Sequence, residues 1–117
     1  MGYRSEVALI MKQDLANDLI EYILQITSVE RDDIQDLLDS ANSIVTKDYS
    51  ILYYWNFTKW YLDSPGIIAI YKLLRNAPEK TYLLLRLGEE VDDIETLGSF
   101  YDNPFDARIA IKLDWHS

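Results

Sequence analysis

Val7-Ala8-Leu9-Ile10-Met11-Lys12-Gln13-Asp14-Leu15-Ala16-Asn17-Asp18-Leu19 contains a change of period, and the fold follows from reading it. Up to Met11 the residues form a short, continuous, partly β-branched apolar run, which predicts a buried strand over 4–11. From Gln13 the spacing becomes helical. Leu15, Leu19, Tyr22, Ile23 and Ile26 fall on one face, while Asp14, Asp18 and Glu21 lie off it, so a helix is expected over 13–26.

Working outward, Thr27 and Glu30 have the spacing of a capping box, and Asp32 and Asp33 suit the positive end of a second helix. The stripe Ile34, Leu37, Leu38, Ala41, Ile44 and Val45 extends that helix over 30–44. Residues 49–57 then alternate. Tyr49, Ile51, Tyr53, Trp55 and Phe57 form one face of a strand, read as the core face. Ser64 and Pro65 open a third helix, which should bury Ile67, Ile70, Tyr71 and Leu74 and end near Asn76, before Pro78. Thr81–Leu87 is apolar on both faces and reads as a central strand. Residues 89–107 are acidic and turn-rich, expected to be irregular or briefly extended. Residues 108–114 alternate as a last strand, with Ile109, Ile111 and Leu113 inward. These elements predict a single α+β domain over 1–117. It should be an open sheet of about four strands with two to three helices on one face, a ferredoxin-like or related sandwich.

The 117 residues include no cysteine, which removes disulfides, zinc–thiolate sites, iron–sulfur clusters and thiol nucleophiles. No stretch reaches the roughly 18 apolar residues of a membrane span, and the apolar run after Glu6 is too short for a signal peptide. A cytoplasmic location is the expectation. The net charge of −9 disfavours phosphate backbones and anionic lipid. The charge is also uneven. Residues 14–48 hold nine acids against Arg31 and Lys47, and residues 89–106 hold seven acids and no base. Residues 49–80 carry four bases against two acids.

Signatures of catalysis and cofactors are missing. The single histidine, His116, is penultimate, so no His–Ser–Asp set can be assembled. The four glycines make no phosphate-binding loop. The expectation is a protein without enzymatic activity, cofactor or metal. The densest charge feature, Glu89, Glu90, Asp92, Asp93 and Glu95, has three readings: a solvated loop, a divalent-cation site, or a contact surface for a basic partner. Residues 53–61 pack six aromatics into nine positions. Alternation buries Tyr53, Trp55 and Phe57, leaving Tyr54, Trp60 and Tyr61 either covered by other elements or exposed as an anchoring patch.

The opening Gly2-Tyr3-Arg4-Ser5-Glu6-Val7 resembles the start of small uncharacterised phage and prophage proteins. Lys59-Trp60-Tyr61, Arg86-Leu87-Gly88-Glu89 and Asp92-Asp93-Ile94-Glu95 resemble patterns that recur in the same group. The resemblance implies a phage accessory protein, and by analogy one of the class that inhibits host defence or host enzymes. The leading expectation is therefore binding of a host protein with a basic surface in the host cytoplasm. The acids of 89–95, with or without the second helix, would steer it, and Tyr54, Trp60 and Tyr61 would anchor it. Two alternatives stay open: a self-associating scaffold module, for which a homodimer is the simplest form, and a metal-assisted hydrolase using the carboxylates of 89–106.

Overall fold

From Val7 to Met11 every side chain of strand β1 (Ser5–Lys12) is fully buried, whichever face of the sheet it points to. A strand can be apolar throughout only if both faces of its sheet are covered. This computed structural model describes residues 5–89, 93–109 and 113–115. Gly2, Tyr3 and Arg4 of the N-terminal motif, Glu90, Val91 and Asp92 of the acidic run, Ile111 of the last predicted strand and His116 lie outside them.

β1 passes straight into α1 (Gln13–Gln25), and the first amide of that helix, Gln13 N–H, donates to Tyr49 O at 2.9 Å. α2 (Ser28–Asp39) opens with the expected cap, Glu30 N–H donating to Thr27 Oγ1. It stops at Asp39, five residues before the predicted end. Ser40 closes it through Ser40 Oγ donating to Leu37 O, and Ile44 and Val45 belong instead to strand β2 (Ser43–Lys47). Helical spacing and strand pairing both accommodate these two residues. Pairing with β3 (Ser50–Thr58) decides the matter. The β2–β3 turn is Asp48-Tyr49, both at positive φ (48° and 62°), the conformation that a two-residue hairpin between right-twisted strands requires.

α3 (Pro65–Arg75) follows with proline in its first turn. Ser64 stands at the cap position, but its side chain makes no capping bond. Asp33 of α2 replaces it, accepting Gly66 N–H at 2.7 Å. The helices touch so closely there that a Cβ on Gly66 would lie 2.9 Å from Ile34 N. A 3-10 turn (Glu79–Thr81) leads to β4 (Tyr82–Leu87) and then β5 (Ile94–Gly98), a strand inside the segment expected to be irregular or briefly extended.

The main sheet runs β2-β3-β1-β4-β5, with every neighbouring pair antiparallel. Its first four strands have ferredoxin-like connectivity, with α1 and α2 in one crossover and α3 in the other. The α+β expectation holds, with five strands rather than four. On one face, Val7, Leu9, Met11, Trp55 and Leu84 pack under all three helices, and Trp55 Nε1–H donates to Leu37 O at 2.8 Å. The other face is not open. Ala8, Ile10, Leu52, Leu83 and Leu85 lie beneath Phe100, Phe105, Ala107 and Leu113. Buried Asn103 shapes this cover: Oδ1 accepts the amides of Phe105 and Ala107, and Nδ2 donates to Phe100 O. The predicted last strand is instead a separate two-stranded pair, β6 (Arg108–Ile109) with β7 (Leu113–Asp114), outside the main sheet.

The aromatic alternation of β3 is also interrupted. Register slips between Ser5 and Val7, where Val7 pairs with Trp55 but Ser5 with Thr58. The extra residue on β3 is a bulge that re-aims the chain. Phe57, expected in the core, is exposed beyond it, and Tyr49 is exposed at the turn.

Candidate interaction surface

Glu89, Asp93 and Glu95 are positioned by the β4–β5 pair, which Gly88 N–H closes by donating to Asp93 O at 2.8 Å. Pairing sets Arg86 directly across from Glu95. Its guanidinium then takes Asp93 with two bonds, Nη2 to Oδ1 at 2.8 Å and Nη1 to Oδ2 at 3.2 Å. Nε reaches Glu95 Oε1 at 3.2 Å, and Nη1 also donates to Ser5 Oγ. Glu95 Oε1 additionally accepts Tyr71 O–H at 2.7 Å, and Tyr71 OH accepts Trp60 Nε1–H at 3.0 Å. Burial, reinforced by the Glu95 carboxylate against the opposing Trp60 N–H, pushes the Tyr71 hydroxyl well above its ordinary value. Tyr71 is thus a neutral donor at physiological pH, and the chain from Trp60 to Arg86 is satisfied at every link.

This arrangement changes the roles of several predicted contact residues. Asp93 and Glu95 are partly buried in intramolecular ion pairs. Glu89 is exposed, while Glu90 and Asp92 lie outside the described residues. Trp60, expected as a surface anchor, is 4% exposed, because its ring packs on Trp55 and its N–H is used by Tyr71. Tyr54 is half-buried, its ring against Trp115 of the cover on the second face and its hydroxyl donated to Glu6. Burial and Glu6 raise its pKa too. Tyr61 is half-buried. Among the described residues no group of three acids converges with the geometry of a metal site.

The other acidic zone is organised differently. α1 and α2 carry Asp14, Asp18, Glu21, Glu30, Asp32, Asp33, Asp36 and Asp39 against one base, Arg31. All but Glu30 and Asp33 are exposed. Among the described residues none is in an ion pair, and Arg31 donates to the carbonyl of Ile26 instead. The two helices bury their apolar stripes inward, so amphipathicity alone sends these carboxylates outward.

Four apolar side chains accompany them on the surface: Ile20 (59% exposed), Leu24 (71%), Val29 (66%) and Ile44 (53%). Ile20, Leu24 and Ile44, with Ile23, Leu38, Tyr53, Gln35 and Asp39, line a groove of about 340 Å³ where the helices overhang β2. The sequence reading missed this surface. The available signal was Ile20 and Leu24, four residues apart and off the predicted stripe of α1. Ile44 could not be added while it was read as helical core.

No family model, curated protein or solved structure matches the chain. Fold and surface together define an antiparallel α+β sandwich with an acidic helical layer on one face of its sheet.

Proposed function

We propose that this chain is a non-enzymatic binding module whose acidic helical layer docks a protein partner with a basic surface. One observation carries the reading: eight carboxylates on α1 and α2 face a single arginine, and none of them is consumed by an ion pair among the described residues. Solvated like charges on one layer repel each other and weaken the free protein. A basic partner removes that repulsion and is steered toward the layer over a Debye length of about 8 Å at physiological salt. Exposed Ile20, Leu24, Val29 and Ile44 add apolar area that charge alone does not provide. The resemblance of the N-terminal motif to phage proteins supports a host protein as the partner, and inhibition as the outcome of binding.

The helical layer leads in this reading and the 89–95 run becomes secondary, since Arg86 already engages Asp93 and Glu95. The test compares two charge-reversed proteins in affinity capture from host lysate across a salt series. Reversal of Asp18, Glu21, Asp36 and Asp39 to lysine is expected to abolish capture of the partner that wild type retains. Reversal of Glu89 alone is expected to change capture little. Undiminished capture by the helical variant would remove the proposal.

A further inference from the structure

We propose that the open edge of β2 and the apolar groove beside it bind an extended, basic segment of the partner as an added strand. This deepens the reading above and rests on it. β2 is the last strand on its side of the sheet, so one edge of its backbone faces solvent. Which groups face outward follows from the turn. Lys47 and Ser50 close the two-residue hairpin and form a hydrogen-bonded pair, so bonding to β3 recurs at Val45 and Ser43. The amides and carbonyls of Ile44 and Thr46 consequently point away from the sheet.

A strand laid beside β2 would bond to those groups. Its residue across from Ile44 would point to the same face as Ile44 and Tyr53, which is the face of the groove. Main-chain bonds give affinity in this mode, and pockets for alternate side chains give selectivity. Ile20, Leu24 and Leu38 supply an apolar wall for such a side chain.

Charge selects the occupant. Asp39 lines the groove at the carbonyl end of α2, and neither α1 nor α2 has a basic residue in its last turn. Two negative helix ends therefore converge here without compensation from their own side chains. A second copy would bring another −9 chain and another Asp39 to the same place, so the charge disfavours self-pairing. The strand's own positive charge, Lys47, sits at the turn end. The basic residues of the occupant accordingly belong toward the Ser43 end.

The experiment uses the whole isotope-labelled protein and two synthetic octapeptides, one alternating valine with lysine and one alternating valine with glutamate. The valine–lysine peptide is expected to slow amide exchange at Ile44 and Thr46, and the glutamate peptide to leave it unchanged. Thr46→Pro removes an outward N–H and leaves the β2–β3 bonds intact, while Leu24→Lys alters only an exposed wall of the groove. Each is expected to weaken peptide binding about tenfold. Equal binding of both peptides, protection on β5 instead of β2, or unchanged affinity in both variants would overturn the proposal. So would concentration-dependent protection without peptide, which would identify a second copy as the occupant. Partner capture that is lost on helical charge reversal but kept in Thr46→Pro and Leu24→Lys would overturn strand addition alone and leave the acidic-layer reading standing.

Discussion

Asp93 and Glu95 on the β4–β5 hairpin share Arg86 between them, whereas eight carboxylates on α1 and α2 share only Arg31, which bonds to a backbone carbonyl. Read along the chain, the hairpin looks like the more exposed acidic surface, because its charges are nearly contiguous. In the fold the order reverses. A hairpin brings residues of opposite charge face to face across strands, and Arg86 stands opposite Glu95. A helix pair offers no such neighbour unless the sequence places a base three or four residues away, and here it seldom does. Linear charge density therefore measures how much acid is present, and topology determines how much of it remains for a partner.

Removing the shared base from each region should expose the difference most strongly. Arg86→Leu removes the guanidinium that two partly buried carboxylates share and ends the hydrogen-bonded chain from Trp60 and Tyr71 at Glu95, at an expected cost of about 2–3 kcal/mol. Arg31→Leu, on the exposed helical layer, should stay within about 0.5 kcal/mol of wild type. Urea unfolding followed by tryptophan fluorescence measures both. Equal costs would mean that Arg86 is no more committed internally than Arg31, and the comparison would collapse. A second, smaller effect isolates the helical acid that ties α2 to α3. Asp33→Ala removes the acceptor for Gly66 N–H and should cost about 1 kcal/mol. Ser64→Ala, at the nominal cap whose hydroxyl makes no capping bond, should cost almost nothing. The reverse ranking would return the cap to Ser64.

How much of this was legible beforehand depended on whether one period governed a segment. Val7–Met11, the stripe of α1, and the Ser64-Pro65 start of α3 were read correctly because period and punctuation agreed. Ile44 and Val45 were misassigned because they satisfy a helical stripe and a strand equally, and only pairing with Tyr53 and Leu52 distinguishes the two. β5 is legible only as one of two options, irregular or briefly extended, for a related reason. Ile94 and Thr96 alternate with Glu95 and Leu97, but an acid in a strand makes sense only once Arg86 is known to lie opposite. Of the cover of the second face only Leu113, inward by the alternation of 108–114, is legible, because Phe100 and Phe105 follow no period at all. Asn103 holds that loop by bonds that no spacing rule predicts. The contact surface inherited these errors. Trp60 looked available until Tyr71 claimed its N–H, and Ile44 looked buried until it became an edge residue.

The smallest effect tests whether the helical acids are kept for binding at the expense of the free fold. Asp39 is the last residue of α2, at the negative end of the helix, where an acid is the unfavourable sign. Among the described residues its side chain bonds only to Gln35 Nε2, at 3.2 Å on the exposed surface. Asp39→Lys should therefore raise stability by about 0.5 kcal/mol, read as a higher urea midpoint with an unchanged slope. The same change puts a positive charge into the groove beside β2 and should weaken capture of a basic partner. Stability and binding moving in opposite directions at one residue is the signature of a charge maintained for association. If Asp39→Lys instead destabilises the chain, Asp39 belongs with Asp93 and Glu95 among the internally used acids, and the two regions differ less than their ion pairs imply.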